Sequence, residues 1–386
     1  MIRLVREGIG YGVYFAISAG GFGTNEIPSR IGDYMRTVIT LEFGDKFKYM
    51  DAHRVTRISL FPEAGVRGRG IARIDGSLLE FQTALPIAAE DDFSRGRLIS
   101  EQCGIMKQCY SGKAAQRIPE IPDEPDRERF ESEAGYKEAV EASSDILPFA
   151  YRCEDASIYG VDLSRTFCYS VSGRARTGKT NVIKNLIKSA KDRGGRIVIF
   201  DNAGGELKRT AETVGAEYVT DDRGIFDFFA NIKDEFVRRN RLKRKLIDDG
   251  ADDAEIYKRM REEIPVYIFI SDLSSFVKSV YEPSDGVGEM KGFVENVTER
   301  GSLHNIYMFA EVLSDSASQS DVNKVYRSFV GYKTGVHLGG NIGAQRIFNF
   351  RNIPYSDNSK PMKRGMGLVP SADDDTVSET IVFPKA

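Results

Sequence analysis

The clearest chemistry in this 386-residue chain lies in eight consecutive residues, Gly173-Arg174-Ala175-Arg176-Thr177-Gly178-Lys179-Thr180. Glycines at the first and sixth positions let the backbone curl so that successive amide groups converge, and an anion held there also meets the positive end of a following helix. Lys179 is spaced to reach the outer phosphates of a nucleoside triphosphate, and Thr180 to offer its hydroxyl to Mg²⁺. Gly173 through Thr180, with Asn181 after them, are therefore the candidate nucleotide-contacting residues, with ATP and Mg²⁺ as the expected ligands. Arg174 and Arg176 are unusual in such a loop; they point into solvent, or contact phosphate or a neighbouring subunit.

The flanks agree with this reading. Thr166–Val171 (TFCYSV) is β-branched and aromatic, and reads as a short buried strand. After the loop, Asn181–Arg193 places Val182, Ile183, Leu186 and Ile187 at helical spacing, and Gly194-Gly195 stops the helix. Arg196–Asp201 (RIVIFD) and Val266–Asp272 (VYIFISD) are apolar runs ending in an acid, as buried parallel strands do. Asp272 is the candidate to hold Mg²⁺ through water opposite Thr180, the competing role being a helix cap. The next residue, Leu273, stands where additional-strand ATPases carry a glutamate that polarises the attacking water, so binding is favoured over hydrolysis. Glu311, ending the strand Ile306–Val312, lies near the place of a γ-phosphate sensor, although its charge argues against that role. The fold class expected is α/β: a P-loop NTPase of the RecA or additional-strand kind, with a mostly parallel sheet flanked by helices.

Composition sets the limits. An apolar fraction of 41% and a charged fraction of 29% are those of a globular chain, and a net charge of −3 offers nucleic acid no general attraction. The one basic run, Arg238–Lys245, is followed at once by Asp248, Asp249, Asp252 and Asp253, which favours a solvated helical hairpin over a DNA-binding face. Cys103, Cys109, Cys153 and Cys168 form no CxxC pair, and His53, His304 and His337 are scattered, so neither zinc nor a disulfide framework is implied. No apolar run approaches the roughly 20 residues that span a bilayer.

The chain repeats itself. Tyr11–Ser18 (YGVYFAIS) resembles Asn305–Val312 (NIYMFAEV), Val38–Phe43 parallels Gly335–Gly340, and Gly68-Arg69-Gly70 parallels Gly365-Met366-Gly367. Leu41 to Gly70 spans 29 positions, as does Leu338 to Gly367 (70 − 41 and 367 − 338). These matches imply an internal duplication, in which only the second copy has a phosphate loop ahead of it. The expected organisation is residues 1–90 as the C-terminal half of one ATPase domain, 91–144 as a proline-broken acidic linker, and 145–386 as a complete second domain.

These residues carry a family resemblance. Gly10–Tyr14, Ile27–Ile31, Gly68–Gly70, Phe81–Pro86, Val161–Leu163, the phosphate loop and His337–Gly340 together make nearly the whole chain similar to the C-terminal part of the FtsK/SpoIIIE-like ATPases of type VII secretion, the EssC family. The resemblance implies a homo-oligomeric, hexamer-forming ATPase that belongs to a larger membrane protein, works on its cytoplasmic face, and engages small helical WXG-type secreted substrates and other secretion subunits. It also offers Arg30 as an arginine finger reaching a neighbour's nucleotide, a structural role being the equal alternative. The leading function is an ATP-binding, weakly hydrolysing module of a protein-secretion ATPase. An active DNA translocase would need an acid at position 273 and a basic tracking module, and a pure docking platform would have a vestigial pocket.

Overall fold

Apolar runs bounded by turn residues become strands here where a sheet neighbour takes their backbone groups, and the two halves of the chain differ in the neighbours they supply. The computed structural model describes the chain apart from residues 1, 22–25, 75, 113–118, 142–143, 203, 315–321, 351–352, 354–357, 359–361 and 371–377. It forms two units, Met1–Ala115 and Gln116–Ala386.

The first unit runs α1 (Ile2–Glu7), a 3-10 turn (Gly8–Tyr11), α2 (Ser29–Gly32), β1 (Ile39–Thr40), α3 (Lys46–His53), β2 (Arg69–Ile74), β3 (Ser77–Gln82) and α4 (Asp92–Cys109). Its sheet has the order β1-β2-β3, all antiparallel. The Thr40 hydroxyl lies 2.8 Å from His53 Nε2 inside a small core with Tyr49 and Ile71. The strand expected at Tyr11–Ser18 does not form: these residues are exposed except for half-buried Phe15. A strand needs neighbours to take its N–H and C=O groups. The strand expected at Val38–Phe43 shortens to β1.

Residues 91–144 carry more order than the linker expected there. Besides α4, the segment contains α5 (Arg127–Ser132) and α6 (Ala134–Val140), which belong to the second unit; Ile118, at its proline-rich start, lies outside the described residues. Arg127 anchors them. Its buried guanidinium donates to the Asn185 carbonyl and Oδ1, each at 3.2 Å, and to Ser189 Oγ at 3.1 Å, while Phe130 and Tyr136 pack edge-on beside Tyr151.

The second unit continues with β4 (Ile146–Arg152), β5 (Ile158–Asp162), β6 (Cys168–Gly173), α7 (Lys179–Arg193), β7 (Arg196–Phe200), α8 (Lys208–Val214) and β8 (Glu217–Val219). Then come α9 (Asp222–Asp248), α10 (Asp253–Arg261), β9 (Val266–Ile270), α11 (Leu273–Tyr281), α12 (Lys291–Arg300), a 3-10 turn (Gly301–His304) and β10 (Ile306–Leu313). The last elements are α13 (Lys324–Gly331), β11 (Gly335–Leu338), β12 (Met366–Val369) and β13 (Glu379–Val382). The sheet order is β5-β4-β13-β12-β11-β6-β10-β9-β7-β8; the block from β11 to β8 is parallel, and the other end is antiparallel.

Alternate residues of the central strands feed two cores. Val198, Ile268, Met308 and Ala310 join the core built with α9 and α11–α13, whereas Ile197, Tyr267, Tyr307 and Phe309 join the one built with α7 and α8. Burial on both faces explains why these strands read as continuous apolar runs.

The hairpin expected from the basic run is α9 and α10. Its basic residues are partly spent on structure: Arg239 is buried and donates to the carbonyls of His304 and Ile264, and Arg238 pairs with Glu235 and Glu263. His304 and His337 are also buried, which pulls both down to about 4 and keeps them neutral. Among the described residues no helix is long and apolar enough to cross a membrane.

Candidate nucleotide-binding site

β6 ends at Gly173, where a side chain has no room: a Cβ would lie 2.5 Å from the Leu338 carbonyl oxygen on β11 and 2.6 Å from Thr177 Oγ1. The loop then passes through two left-handed residues, Arg176 at φ 63° and Gly178 at φ 99°. For Arg176 this conformation costs about 1–2 kcal/mol, the kind of strain that clusters at ligand sites. The loop closes on its own lysine. Lys179 Nζ and Thr177 Oγ1 both donate to the Arg174 carbonyl, each at 2.9 Å, and Lys179 opens α7 as a buried residue.

A cavity of about 310 Å³ adjoins the loop. The loop supplies Ala175, Arg176, Gly178, Lys179 and Thr180; the end of β9 supplies Ser271 and Asp272, and β10 supplies Glu311. Asp272 caps α11, its Oδ1 accepting from Ser275 N at 3.0 Å, and it also lines the cavity. Glu311 is buried beside Thr180 and Lys179. Burial raises it to about 7, against the pull of Thr180 and Lys179. Near neutral pH it is therefore partly uncharged, which weakens the repulsion of phosphate expected from sequence.

Two expected placements change. Leu273 does not face the cavity: it is 1% exposed and belongs to the core built with α9 and α11–α13, because the first residue of α11 after the Asp272 cap turns back toward the sheet. Asn181 turns away from the phosphate position, donating to the Pro384 carbonyl at 2.9 Å and accepting from Ala386 N at 2.9 Å. Arg30 lies on α2 in the first unit and is exposed. Arg174 and Arg176 are both exposed, Arg176 on the cavity's rim.

Two acids were missed from sequence. Glu206 Oε2 accepts the Thr180 hydroxyl at 3.0 Å, and Asp201 shapes the loop that carries Glu206, accepting from Gly205 N, Leu207 N and Tyr218 OH. The signal was available in Asp201-Asn-Ala-Gly-Gly-Glu206, an acid set five positions past a strand end in a glycine turn.

These residues fit a Mg²⁺–nucleotide. Ser271 Oγ, beside Asp272 in the cavity, is buried with no partner among the described residues. No group of three or more His, Cys, Asp or Glu among the described residues could hold a metal alone. A cation here would depend on Thr180, Asp272, water and the phosphates themselves, which is how Mg²⁺ is held at nucleotide sites.

In the sheet, β10 stands between the loop strand β6 and the acid-ending strand β9. That inserted strand, with the loop and helix at its side, defines the additional-strand class of P-loop NTPase fold. The particular likeness is to type VII secretion ATPases. The structure titled EssC (ATPases 2 and 3) from Geobacillus thermodenitrificans superposes with a TM-score of 0.68 at 17% identity, covering 100% of this chain and 67% of that one. Thermomonospora curvata EccC (ATPases 2 and 3), in complex with a signal sequence peptide, gives 0.55 at 16% identity, over 100% of this chain and 64% of that one. What these share with the chain is the fold. Protein TraC of Escherichia coli (strain K12) is 28% identical over 169 residues, which are 43% of this chain and 17% of TraC. No family model matches the chain.

Proposed function

We propose that residues 145–386 are a Mg-ATP-binding domain of a type VII protein-secretion ATPase, and that residues 1–90 are part of a second ATPase domain. The observation that carries the first reading is the convergence of Lys179, Thr180 and Asp272 on one cavity at the N-terminus of α7. The loop amides and Lys179 would hold the phosphates; Thr180 and Asp272 would hold Mg²⁺. Calorimetric titration with Mg-ATP tests it: the wild-type chain binds, and Lys179→Ala weakens binding at least about 100-fold by removing a charge-assisted phosphate contact. Equal affinity in the two proteins rejects the site.

Turnover by this domain is slow in this reading, since the residue after Asp272, Leu273, turns into the core and brings no carboxylate to the cavity. Leu273→Glu is not a rescue, because it would bury a carboxylate in the core. A second reading, active hydrolysis, has one observation in its favour: Glu311 reaches the cavity from the neighbouring strand. Robust wild-type turnover, abolished by both Lys179→Ala and Glu311→Gln, would move it to first place. The likeness to EssC and EccC supports a role in engaging secreted helical substrates within a homo-oligomer at the cytoplasmic face of a membrane. Binding of WXG-type substrates by fluorescence polarisation tests that role, and its absence would leave nucleotide binding as the domain's function.

A further inference from the structure

Thr180 has one hydroxyl proton to give and two carboxyl groups within reach of it. Its Oγ1 donates to Glu206 Oε2 at 3.0 Å, and Glu311 of β10 also lies against it. A hydroxyl that binds a cation does so with its lone pairs, so its proton must be directed to an acceptor elsewhere. The group that takes the proton decides how the oxygen is aimed.

Among the described residues four acids line the cavity, and three are engaged otherwise. Asp201, only 3% exposed, spends its carboxylate on the backbone N–H groups of Gly205 at 3.2 Å and Leu207 at 3.0 Å and on Tyr218 OH at 2.9 Å. Asp272 uses Oδ1 to cap α11. Glu311 is buried, and burial favours the form that keeps its own proton. Glu206 remains, an exposed side chain bonded to Thr180. Its backbone, by contrast, is fixed on both sides: Asp201 grips the residue before it and the residue after it, Gly205 turns left-handed at φ 69°, and Leu207 is fully buried in the core built with α7 and α8. A fold gains little by fixing the backbone around an exposed carboxylate, whereas a group that orients a ligand-binding side chain needs that support.

We propose that Glu206 is a positioning residue for Mg²⁺ binding: by accepting the Thr180 proton it leaves the hydroxyl lone pairs free for the cavity and makes that oxygen a stronger ligand. The carboxylate is a charge-assisted acceptor, and an outer partner of this kind raises the basicity of the group it holds. The inference rests on the nucleotide reading of this cavity and adds to it an outer carboxylate supplied by the loop after β7 instead of by Asp272.

The test uses the full chain and a non-hydrolysable ATP analogue, with affinity measured by calorimetry in Mg²⁺ and in EDTA, so that no turnover is needed. The readout is the ratio of the two affinities. Glu206→Ala is expected to lower the Mg²⁺ preference by about 10- to 100-fold, the usual cost of losing an outer partner of a metal ligand, while affinity in EDTA does not fall. Glu206→Gln, which keeps an acceptor oxygen without the charge, retains part of the preference. Thr180→Ala lowers it as well, and Glu206→Ala adds nothing on that background because the bond is already gone. A structural role for Glu206 would weaken binding alike in both conditions, and a bare charge effect would fall equally on the Gln and Ala variants and survive in Thr180→Ala; either result overturns the proposal. So does a preference lost in Glu311→Gln but not in Glu206→Ala, which would give the proton to Glu311. A wild-type chain that binds the analogue in neither condition rejects the nucleotide site and this proposal with it, whereas a wild-type Mg²⁺ preference kept by Glu206→Ala rejects the positioning role alone.

Discussion

Residues 69–83 and 366–383 are the same hairpin in two settings, and the difference between the settings decides how the neighbouring chain behaves. Both copies keep the register, the left-handed glycine and the closing backbone bond, because these are local: a hairpin satisfies most of its own hydrogen bonds. The copies part at the segment whose hydrogen bonds must come from elsewhere. Two residues past the left-handed cap of each turn, a register one residue away from the sequence match, Tyr307 of β10 is buried against Tyr267 of β9 while Tyr14 stands in solvent. Similar apolar sequence gives a central strand in one unit and an open segment in the other.

The contrast can be challenged most directly at that pair. Tyr307→Ala is expected to destabilise the second unit by about 3–5 kcal/mol, the cost of emptying an aromatic core site. Tyr14→Ala should stay within about 0.5 kcal/mol, as exposed substitutions do. Denaturant unfolding of the full chain, followed separately for each unit by hydrogen exchange, checks both; a comparable cost at Tyr14 would mean that the first unit already covers this segment.

A smaller effect distinguishes the cavity from anything in the first unit. Glu311 titrates at about 7 in the folded chain instead of near 4.5, because burial disfavours its carboxylate. Folding therefore favours its protonated form: the contribution is fully present below about pH 4.5 and is lost as pH rises to about 7. Its size is up to about 3 kcal/mol at 1.36 kcal/mol per pK unit. Glu311→Gln should remove that slope, leaving the variant more stable than wild type in nucleotide-free thermal melts at pH 8. Parallel pH profiles for the two proteins would contradict the assignment.

The smallest effect concerns what the copies share. Gly68→Ala and Gly365→Ala each force a side chain into the left-handed region and should each cost about 1 kcal/mol. Equal losses, read from local exchange in each hairpin, support one turn kept by both copies; a neutral substitution at either position would separate them.

Much of the second unit was legible because its signals are local. The loop glycines, the spacing of Lys179 and Thr180, and the helical apolar stripe of α7 report short-range geometry, and two-sided burial writes itself into strands such as VYIFI and RIVIF. Asp272 was found for the same reason, as an acid at a strand end. The orientation of Leu273 was not legible because one position past that strand the chain has become a helix, and the direction of a side chain there is set by packing against α9 and α13.

The order of residues alone specifies the phosphate loop, the succession of strands and helices around it, and the duplication with its 29-residue spacing. Folding in three dimensions selects which acids reach the cavity. Glu206 and Glu311 are 105 residues apart (311 − 206) and meet at Thr180 because β7 and β10 flank β9 in one sheet. Folding also leaves Tyr11–Ser18 open while β10 is closed. Both outcomes have one cause: a strand's hydrogen bonds and a cavity's walls come from segments distant in the chain, and no run of residues specifies partners that lie outside itself.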